Sequence, residues 1–360
     1  MLCEVLILSS LDSITMDTNT LVTRNVVDSM TEEEVSKLAD SPEDKRAYVG
    51  YEPSGVLHLG HMLTANKLID LQDAGMEVVI LLADVHAYLN NKGTFEEIHE
   101  TAEQMREQFV AYGLSEESTE FVLGSDFQFD EDYRLDLHTL KVETTLNRAQ
   151  RAMAEIKSGT TATVSHVVYP LMQALDIEYL DLDLAVGGLD QRKVHALHRE
   201  VMPHIDCRVR PAIHTPILAD LTTGIGKMSS SSNPATGGES ITISFEDSAE
   251  ELEQKIARVF FPPERNPTFE DYYDPADYDV DSSDIELHNP ALQLFEYHIF
   301  PRFDQVTVER PDEYGGTVKY DSFEALVDAV DSEELHPADA KDALSTYLNR
   351  LIAPGRDRIQ

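Results

Sequence analysis

The chain has 360 residues, 42% of them hydrophobic, enough for a globular core and for about two domains. Asp and Glu number 67 against 28 Lys and Arg, a formal charge of −39. That apolar content excludes disorder as the meaning of the charge and leaves an acidic shell on a folded core. Such a shell repels itself unless salt screens it, and at about 1 M salt the Debye length is only about 3 Å.

A very salty cell interior is therefore the expected setting. An acidic balance ordinarily argues against nucleic acid as a partner, but a bias imposed by the solvent falls on every protein of such a cell. Two cysteines, Cys3 and Cys207, exclude a disulfide framework and a cysteine-based zinc site, and a reducing cytoplasm is the default. No stretch approaches the roughly 18 apolar residues of a membrane span. The opening "MLCEVLILSSLDSITM" lacks a basic n-region and makes a poor signal peptide. Met16 reads as the true start, with residues 1–15 a mis-assigned extension.

Taken in order, "TEEEVSKLAD" offers Thr31 and Glu34 as a capping box opening a helix. "AYVGY" (47–51) reads as a buried strand. After the turn "EPSG" the pattern becomes helical from His58 and ends at Gly75. "EVVILLADV" (77–85) is a continuous apolar run, typical of a strand covered on both faces. Thr94 and Glu97 cap a helix reaching Gly113, and "TEFVLGS" (119–125) is another strand. Residues 130–180 are mostly helical in pattern. A strand at 182–188, a helix through "LDQRKVHALHREV" and a strand at 212–218 follow.

Strands alternating with helices imply a parallel sheet with crossover helices, a Rossmann-like α/β domain with its ligand site at the strands' carboxyl ends. Beyond about residue 240 the pattern is helical, with Ser248 and Glu251 as a cap and helices expected at 290–300, 322–331 and 336–353. Residues 262–288 carry nine carboxylates and one arginine and read as a solvated acidic insertion.

"EPSGVLHLGH" (52–61) places His58 and His61 three apart at the expected helix start. Three readings stay open on these residues alone: half a metal site, ordinary helix-start histidines, or a phosphate site. "HALH" (195–198) supplies a second pair, but zinc needs three or four ligands and no H-E-x-x-H is present. The phosphate reading draws on the free N–H groups of a helix start and on imidazole donors, although neither a Walker loop nor G-x-G-x-x-G occurs. Far down the chain, "GIGKMSSSS" sets Lys227 among glycines and serines, and lysine is a natural point charge for phosphate.

H-x-G-H after the first strand and K-M-S-S-S after the last resemble the paired motifs of class I aminoacyl-tRNA synthetases. With "YVGYEPSGVLHLGH", "LLADVHAYLNNKG", "YPLMQALDIEYL" and "DLAVGGLDQRK" in this order, the chain resembles the tyrosyl-tRNA synthetases of archaeal and eukaryotic type over roughly residues 30 to 355. The resemblance implies activation of L-tyrosine by ATP to tyrosyl-AMP and pyrophosphate, then transfer to the 3′ end of tRNA(Tyr). Mg²⁺ would ride on the ATP phosphates, and the enzyme would be a cytoplasmic homodimer.

By the same resemblance His58, His61 and Lys227 are catalytic. Pro53, Gly55, Gly60, Met228, Ser229, Ser230 and Ser231 complete the ATP site. Ser230 stands where the wider class has a second lysine, and a bound monovalent cation is one candidate to compensate. Tyr48 and Asp176 would take the phenol, with Gly50 and Glu52 beside them, and Tyr169, Gln173 and Gln191 the amine. Tyr169, Gln173 and Asp176 also share one helical face, a polar stripe where a core stripe would be apolar. A phenol both donates and accepts, which suits a carboxylate beside a second tyrosine.

Residues 31–226 would form the catalytic domain after an N-terminal extension (1–30), 227–240 the loop, and 241–360 a helical anticodon-binding domain. In the last, His336 and Asp339 of "ELHPADAK" are candidates to read an anticodon base; the aromatic that stacks a base in relatives falls near His298 here, so that contact is not carried over. Basic residues Arg148, Arg151 and Lys157, and Arg192, Lys193, Arg199, Arg208 and Arg210, are expected to face the acceptor stem. A tryptophanyl synthetase of the same fold, a nucleotidylyltransferase and a non-catalytic tRNA-binding relative are the rival readings. The polar stripe, the C-terminal helices and the intact His58, His61 and Lys227 disfavour them in turn.

Overall fold

The computed structural model describes residues 16–153, 163–228, 240–262, 267–283 and 285–359. Six strands form one sheet in the order β1-β6-β5-β2-β3-β4. They are β1 (Asp28–Met30), β2 (Arg46–Tyr51), β3 (Glu77–Leu82), β4 (Thr119–Leu123), β5 (Leu184–Gly188) and β6 (Ala212–Thr215). β2 pairs in parallel with β3 and β5, and β4 and β6 extend the parallel set outward. β1 alone runs antiparallel, along β6.

Before the sheet comes α1 (Thr18–Thr23), capped by Asp17 and burying Leu21 and Val22. The stretch ahead of residue 31, set apart above as an extension, thus contributes a packed helix and an edge strand; residues 1–15 lie outside the described ones. α2 (Glu32–Asp40) begins where expected but without its box. Thr31 adopts a left-handed backbone (φ 64°) and donates its hydroxyl to the Met30 carbonyl, so the oxygen is turned from the helix.

α3 (Leu59–Asp73) follows β2. After β3, Ala83 turns the chain into α4 (Asp84–Leu89), which the apolar run through Val85 concealed. α5 (Phe95–Tyr112) carries the expected Thr94/Glu97 box. The helical stretch resolves into α6 (Glu131–Glu143), α7 (Leu146–Ala152) and α8 (Val164–Tyr179), and α9 (Arg192–Val201) follows β5.

The C-terminal region holds α10 (Ala249–Ala257), α11 (Phe269–Tyr272), α12 (Pro275–Tyr278), α13 (Pro290–Leu294), α14 (Phe323–Asp331) and α15 (Pro337–Ile359). α13 runs on as a π-helical turn, Phe295–Ile299. A hairpin of β7 (Val306–Val308) and β8 (Val318–Tyr320) was not legible, since three-residue strands carry almost no periodicity.

The acidic insertion is not the solvated loop expected. Phe269, Tyr272, Tyr273 and Leu287 are buried against Leu189, Ile217 and Ala219. Tyr273 donates its hydroxyl to the Ile217 carbonyl (2.7 Å) and Gly226 N–H donates to the Tyr272 carbonyl (2.7 Å). Counting carboxylates hid the aromatic rings between them, which bring enough apolar surface to dock the segment.

One face of the sheet carries the largest apolar cluster. It runs from Val49 and Ile80 through Met105 and Phe109 of α5 to Phe295, Leu344 and Leu348 in the C-terminal helices. On the other face Tyr48, Val79 and Ala185 pack with Ile177 of α8.

Candidate active site

Strand order reverses between β2 and β5: from β2 the chain proceeds outward to β3 and β4, and from β5 outward to β6 on the other side. Connections diverge at such a point and leave a crevice at the carboxyl ends of the strands. A cavity of about 390 Å³ lies there. Its lining brings together His58, Gly60, His61, Lys227 and Met228 with Tyr48, Gly50, Glu52, Tyr169, Gln173, Asp176 and Gln191. Pro53 and Gly55 lie outside that lining; Pro53 is buried and Gly55 is exposed at φ 149°. Ser229, Ser230 and Ser231 lie outside the described residues.

The histidine pair is built into the first turn of α3. His58 is its N-cap, and its Nδ1 accepts from Gly60 N–H (3.1 Å). His61 Nδ1 accepts in return from His58 N–H (3.3 Å), and the rings stack at 3.8 Å. A helix start has unpaired N–H groups, and here imidazoles fill the role usually taken by Ser, Thr or Asp. The consequence is chemical. With Nδ1 accepting on both rings, each neutral imidazole carries its proton on Nε2 and is a donor there.

Burial, aided by Lys227, pushes His58 down to about 4. Burial, His58 and Lys227 push His61 well below its ordinary value. Both are neutral at pH 7. A side chain at Gly60 would crowd this site: a Cβ there would lie 3.0 Å from His58 Cε1 and 3.4 Å from Met228 Cε.

Lys227 flanks the histidine pair at this open end of the cavity and pairs with Asp190. Burial alone would raise the Asp190 carboxyl; the Lys227 charge and hydrogen bond, with bonds from Gln191 and the backbone, together outweigh it and hold it below the usual value. Asp190 was not singled out from the sequence, although it stands between Gly188 and Gln191 in "GGLDQ", where the β5 backbone turns into the site.

The other end is closed and polar. Asp176 on α8 is fully buried, and burial raises its carboxyl to about 7 against the bonds that lower it. Its Oδ1 accepts from Gln128 Nε2 (2.7 Å) and from the Tyr133 hydroxyl (2.7 Å). Tyr48 lies beside it, 2% exposed, and burial and the Asp176 charge hold its phenol protonated. Gly50 leaves room for that ring, since a Cβ would sit 2.8 Å from the Tyr48 hydroxyl. Tyr169 donates to Glu52 Oε1 (2.7 Å), and Gln173 Nε2 donates to Gln191 Oε1 (2.9 Å). Gln128 and Tyr133 come from a different segment and carried no motif, so no local signal could have found them.

The second histidine pair serves the fold. His198 Nδ1 donates to the Ala174 carbonyl (2.8 Å) and its Nε2 accepts from Arg210 N–H (3.2 Å). His195 bonds His214 (2.9 Å), which bonds Asp28 (2.7 Å). Among the described residues no group of three or more His, Cys, Asp or Glu side chains is placed to hold a metal ion, and no helix is long and apolar enough to cross a membrane.

Much of the expected basic surface is engaged within the chain. Arg148 pairs with Glu200, and Arg192 with Asp28 and Asp279. Lys193 donates to the Ala276 carbonyl (3.0 Å) of the acidic insertion, while Arg151 is exposed on α7. Arg208 pairs with Asp183 and Arg210 with Glu178; Lys157 lies outside the described residues.

At the far end of the molecule His336 is exposed and Asp339 half-buried at the start of α15. His298, at the position of the relatives' stacking aromatic, offers no ring to a base: it is 0% exposed inside the π-helical turn. The exposed aromatic of this region is Tyr314, 65% exposed. Arg310 ties its turn to the segment entering α15, donating to Gly316 O (3.1 Å) and Glu334 O (2.7 Å).

The model of the class I tRNA synthetases for tryptophan and tyrosine matches residues 41–353. The tyrosine–tRNA ligase of Halobacterium salinarum is 62% identical over 339 residues, 94% of this chain and 97% of that protein. That of Archaeoglobus fulgidus is 46% identical over 340 residues, 94% and 96% of the two chains. A crystal structure of the Archaeoglobus fulgidus tyrosyl-tRNA synthetase complexed with L-tyrosine superposes with a TM-score of 0.82 at 45% identity, covering 96% of this chain and 100% of that one. A matched family model, near-complete relatives and a shared fold agree: the chain belongs to the class I tRNA synthetases for tryptophan and tyrosine, in their tyrosine–tRNA ligase branch.

Proposed function

We propose how this cavity divides the work of a tyrosine–tRNA ligase, which joins L-tyrosine and ATP into tyrosyl-AMP and pyrophosphate and passes the tyrosyl group to the 3′ end of tRNA(Tyr). The tyrosine carboxylate attacks the α-phosphate, so no proton has to move in that step. What the site must supply is alignment and donors aimed at the charge building on the phosphates. His58 and His61 present two Nε2–H donors fixed by the helix cap, with no reorganisation on reaction. Lys227 leaves Asp190 for the pyrophosphate, and Asp190 is then free to accept from a ribose hydroxyl. Mg²⁺ would arrive on the ATP phosphates and supply neutralising charge there.

At the closed end Tyr48 and Asp176 receive the phenol. Tyr169, Gln173 and Gln191, with Glu52 behind Tyr169, receive the ammonium. His336 and Asp339 offer donor and acceptor atoms to an anticodon base, with Tyr314 rather than His298 as the ring to stack on it. The acceptor stem would meet Arg151 and whichever of Arg148, Arg192 and Lys193 exchange their internal partners for phosphates. A homodimer fits an exposed apolar row along α6 and its flanks, with Phe129 53%, Leu135 63%, Val142 81% and Leu146 58% exposed. A monomer by sedimentation in molar salt would refute it. Cytoplasmic residence completes the reading.

The observation that carries this reading is one cavity whose open end holds the capped histidine pair and Lys227 and whose closed end holds Tyr48 and Asp176. Tyrosine-dependent pyrophosphate exchange in high salt, followed by tRNA charging, tests it. Exchange is expected with tyrosine and not with tryptophan, and to survive zinc chelation. Absence of exchange above background would refute the assignment of the cavity.

A further inference from the structure

His86 has no part in the division of work above, yet it lines the same cavity. It sits on α4, 1% exposed, and neither ring nitrogen makes a hydrogen bond of good geometry, although the Tyr169 backbone carbonyl lies near enough to favour the charged ring. Buried polar groups are nearly always paired, so an orphan in a cavity wall points to something that pairs it when the cavity is filled. Its Nε2 lies 3.7 Å from Asp176 Oδ2, beyond hydrogen-bond reach. That oxygen is also unpaired, because Gln128 and Tyr133 both bond Oδ1. Two unsatisfied atoms, one on α4 and one on α8, therefore face each other across a gap. The imidazole is held in place edge-on to the Tyr169 ring, centroids 4.5 Å apart at 84°.

The gap is too narrow for an oxygen on the line between them, so a bridging atom has to sit to one side. An oxygen about 2.8 Å from both would make an angle of about 80° between its two partners, enough for one bond donated and one accepted. In its ionised form the carboxylate only accepts, and the bridging group then donates toward Asp176. An imidazole lone pair facing that oxygen would be repelled, which favours the tautomer with N–H on Nε2. The group between them must therefore accept from His86 and donate to Asp176, the pattern of a hydroxyl.

We propose that His86 is a third contact for the phenol hydroxyl of the substrate, donating from Nε2 to the phenol oxygen while the phenol O–H donates to Asp176 Oδ2. The proposal rests on the reading of Tyr48 and Asp176 as the phenol end and adds a specificity-determining residue to it. Phenylalanine would leave both atoms unpaired and expel any water that bridges them in the empty cavity. Rejection by unpaired buried groups is stronger than rejection by lost apolar contact.

The test compares His86→Leu and His86→Asn with the parent in the full-length chain, by tyrosine- and phenylalanine-dependent pyrophosphate exchange at constant high salt. With His86→Leu the tyrosine-to-phenylalanine ratio of kcat/KM is expected to fall about 10- to 100-fold, chiefly through tyrosine. His86→Asn keeps a donor and recovers part of the ratio. An equal loss with both substrates would mean that His86 only supports the fold, and an unchanged ratio that it does not touch the phenol; either overturns the proposal. Asp176→Asn is measured alongside. If that substitution removes the tyrosine preference while His86→Leu does not, His86 alone is misassigned. If Asp176→Asn leaves the preference intact, the phenol end itself has been misplaced.

Discussion

The two ends of the cavity hold their polar groups in opposite ways. At the end proposed for ATP, backbone holds side chain: His58 and His61 are oriented by the N–H groups of the first turn of α3, and Lys227 reaches the Asp190 carboxylate. At the end proposed for tyrosine, side chains hold side chains: Gln128 and Tyr133 on Asp176, Tyr169 on Glu52, Gln173 on Gln191. The first arrangement offers fixed donors to a charge that exists only in passing. The second is a closed polar frame that penalises a solute lacking the right hydroxyl before any bond changes. Rate should therefore be lost at one end and selectivity at the other.

The largest effect is expected where selectivity is held. Asp176→Asn should raise the relative use of phenylalanine by about 10³-fold or more. Tyrosyl-tRNA synthetases are themselves the known instance of such rejection, about 10⁵ over phenylalanine, a magnitude adopted from that family rather than calculated for this cavity. Competitive exchange assays read the ratio, and an unchanged ratio would erase the distinction between the ends. Next comes rate. Lys227→Ala should slow exchange about 10²- to 10³-fold with tyrosine affinity unchanged by equilibrium dialysis. His61→Ala should slow it similarly and also lower Tm, because its ring caps α3 and a lost cap costs about 1 kcal/mol. A Tm loss in Lys227→Ala, or none in His61→Ala, would show that the cap and the catalytic donors are separate devices.

The smallest effect is on stability against acid, and the two ends should differ in sign. His58 falls from 6.5 to about 4 on folding, and His61 lies well below 6.5. Between pH 6.5 and about 4 the unfolded chain binds more protons through them, so their contribution to stability falls as pH drops. Asp176 rises from 3.8 to about 7. Between those values the native chain holds more protons, so its contribution grows as pH drops. Melting curves from pH 7.5 to 4 in constant salt should fall less steeply for His58→Gln than for the parent and more steeply for Asp176→Asn. Parallel curves would refute the assigned protonation states.

The parallel sheet was legible because its strands are continuous apolar runs, and the meeting of the histidine pair with Lys227 because motifs mark both segments. Tyr169, Gln173 and Asp176 were legible as one polar helical face, which the structure sets into the cavity wall. Gln128 and Tyr133 were not, because they reach Asp176 across more than 40 residues and nothing local distinguishes them from surface residues. α4 was hidden inside an apolar run that serves strand and helix alike. The insertion was misjudged because charge counts along a chain ignore which rings turn inward. His58 and His61 were suggested as a helix start or as phosphate donors, and the geometry makes those two readings one, since the bonds that cap α3 also set the tautomers.

The apolar cluster that runs from the sheet through α5 to α15 bears on the division of the chain into a catalytic and a helical part. α15 packs along α5, and one apolar cluster takes in Met105 and Phe109 together with Leu344 and Leu348. A boundary drawn by topology near residue 240 is thus not a boundary in free energy, because neither part has a complete interior without the other. The two should melt as one cooperative unit. Truncation at that boundary would yield not a smaller enzyme but a chain with half of its interior facing water.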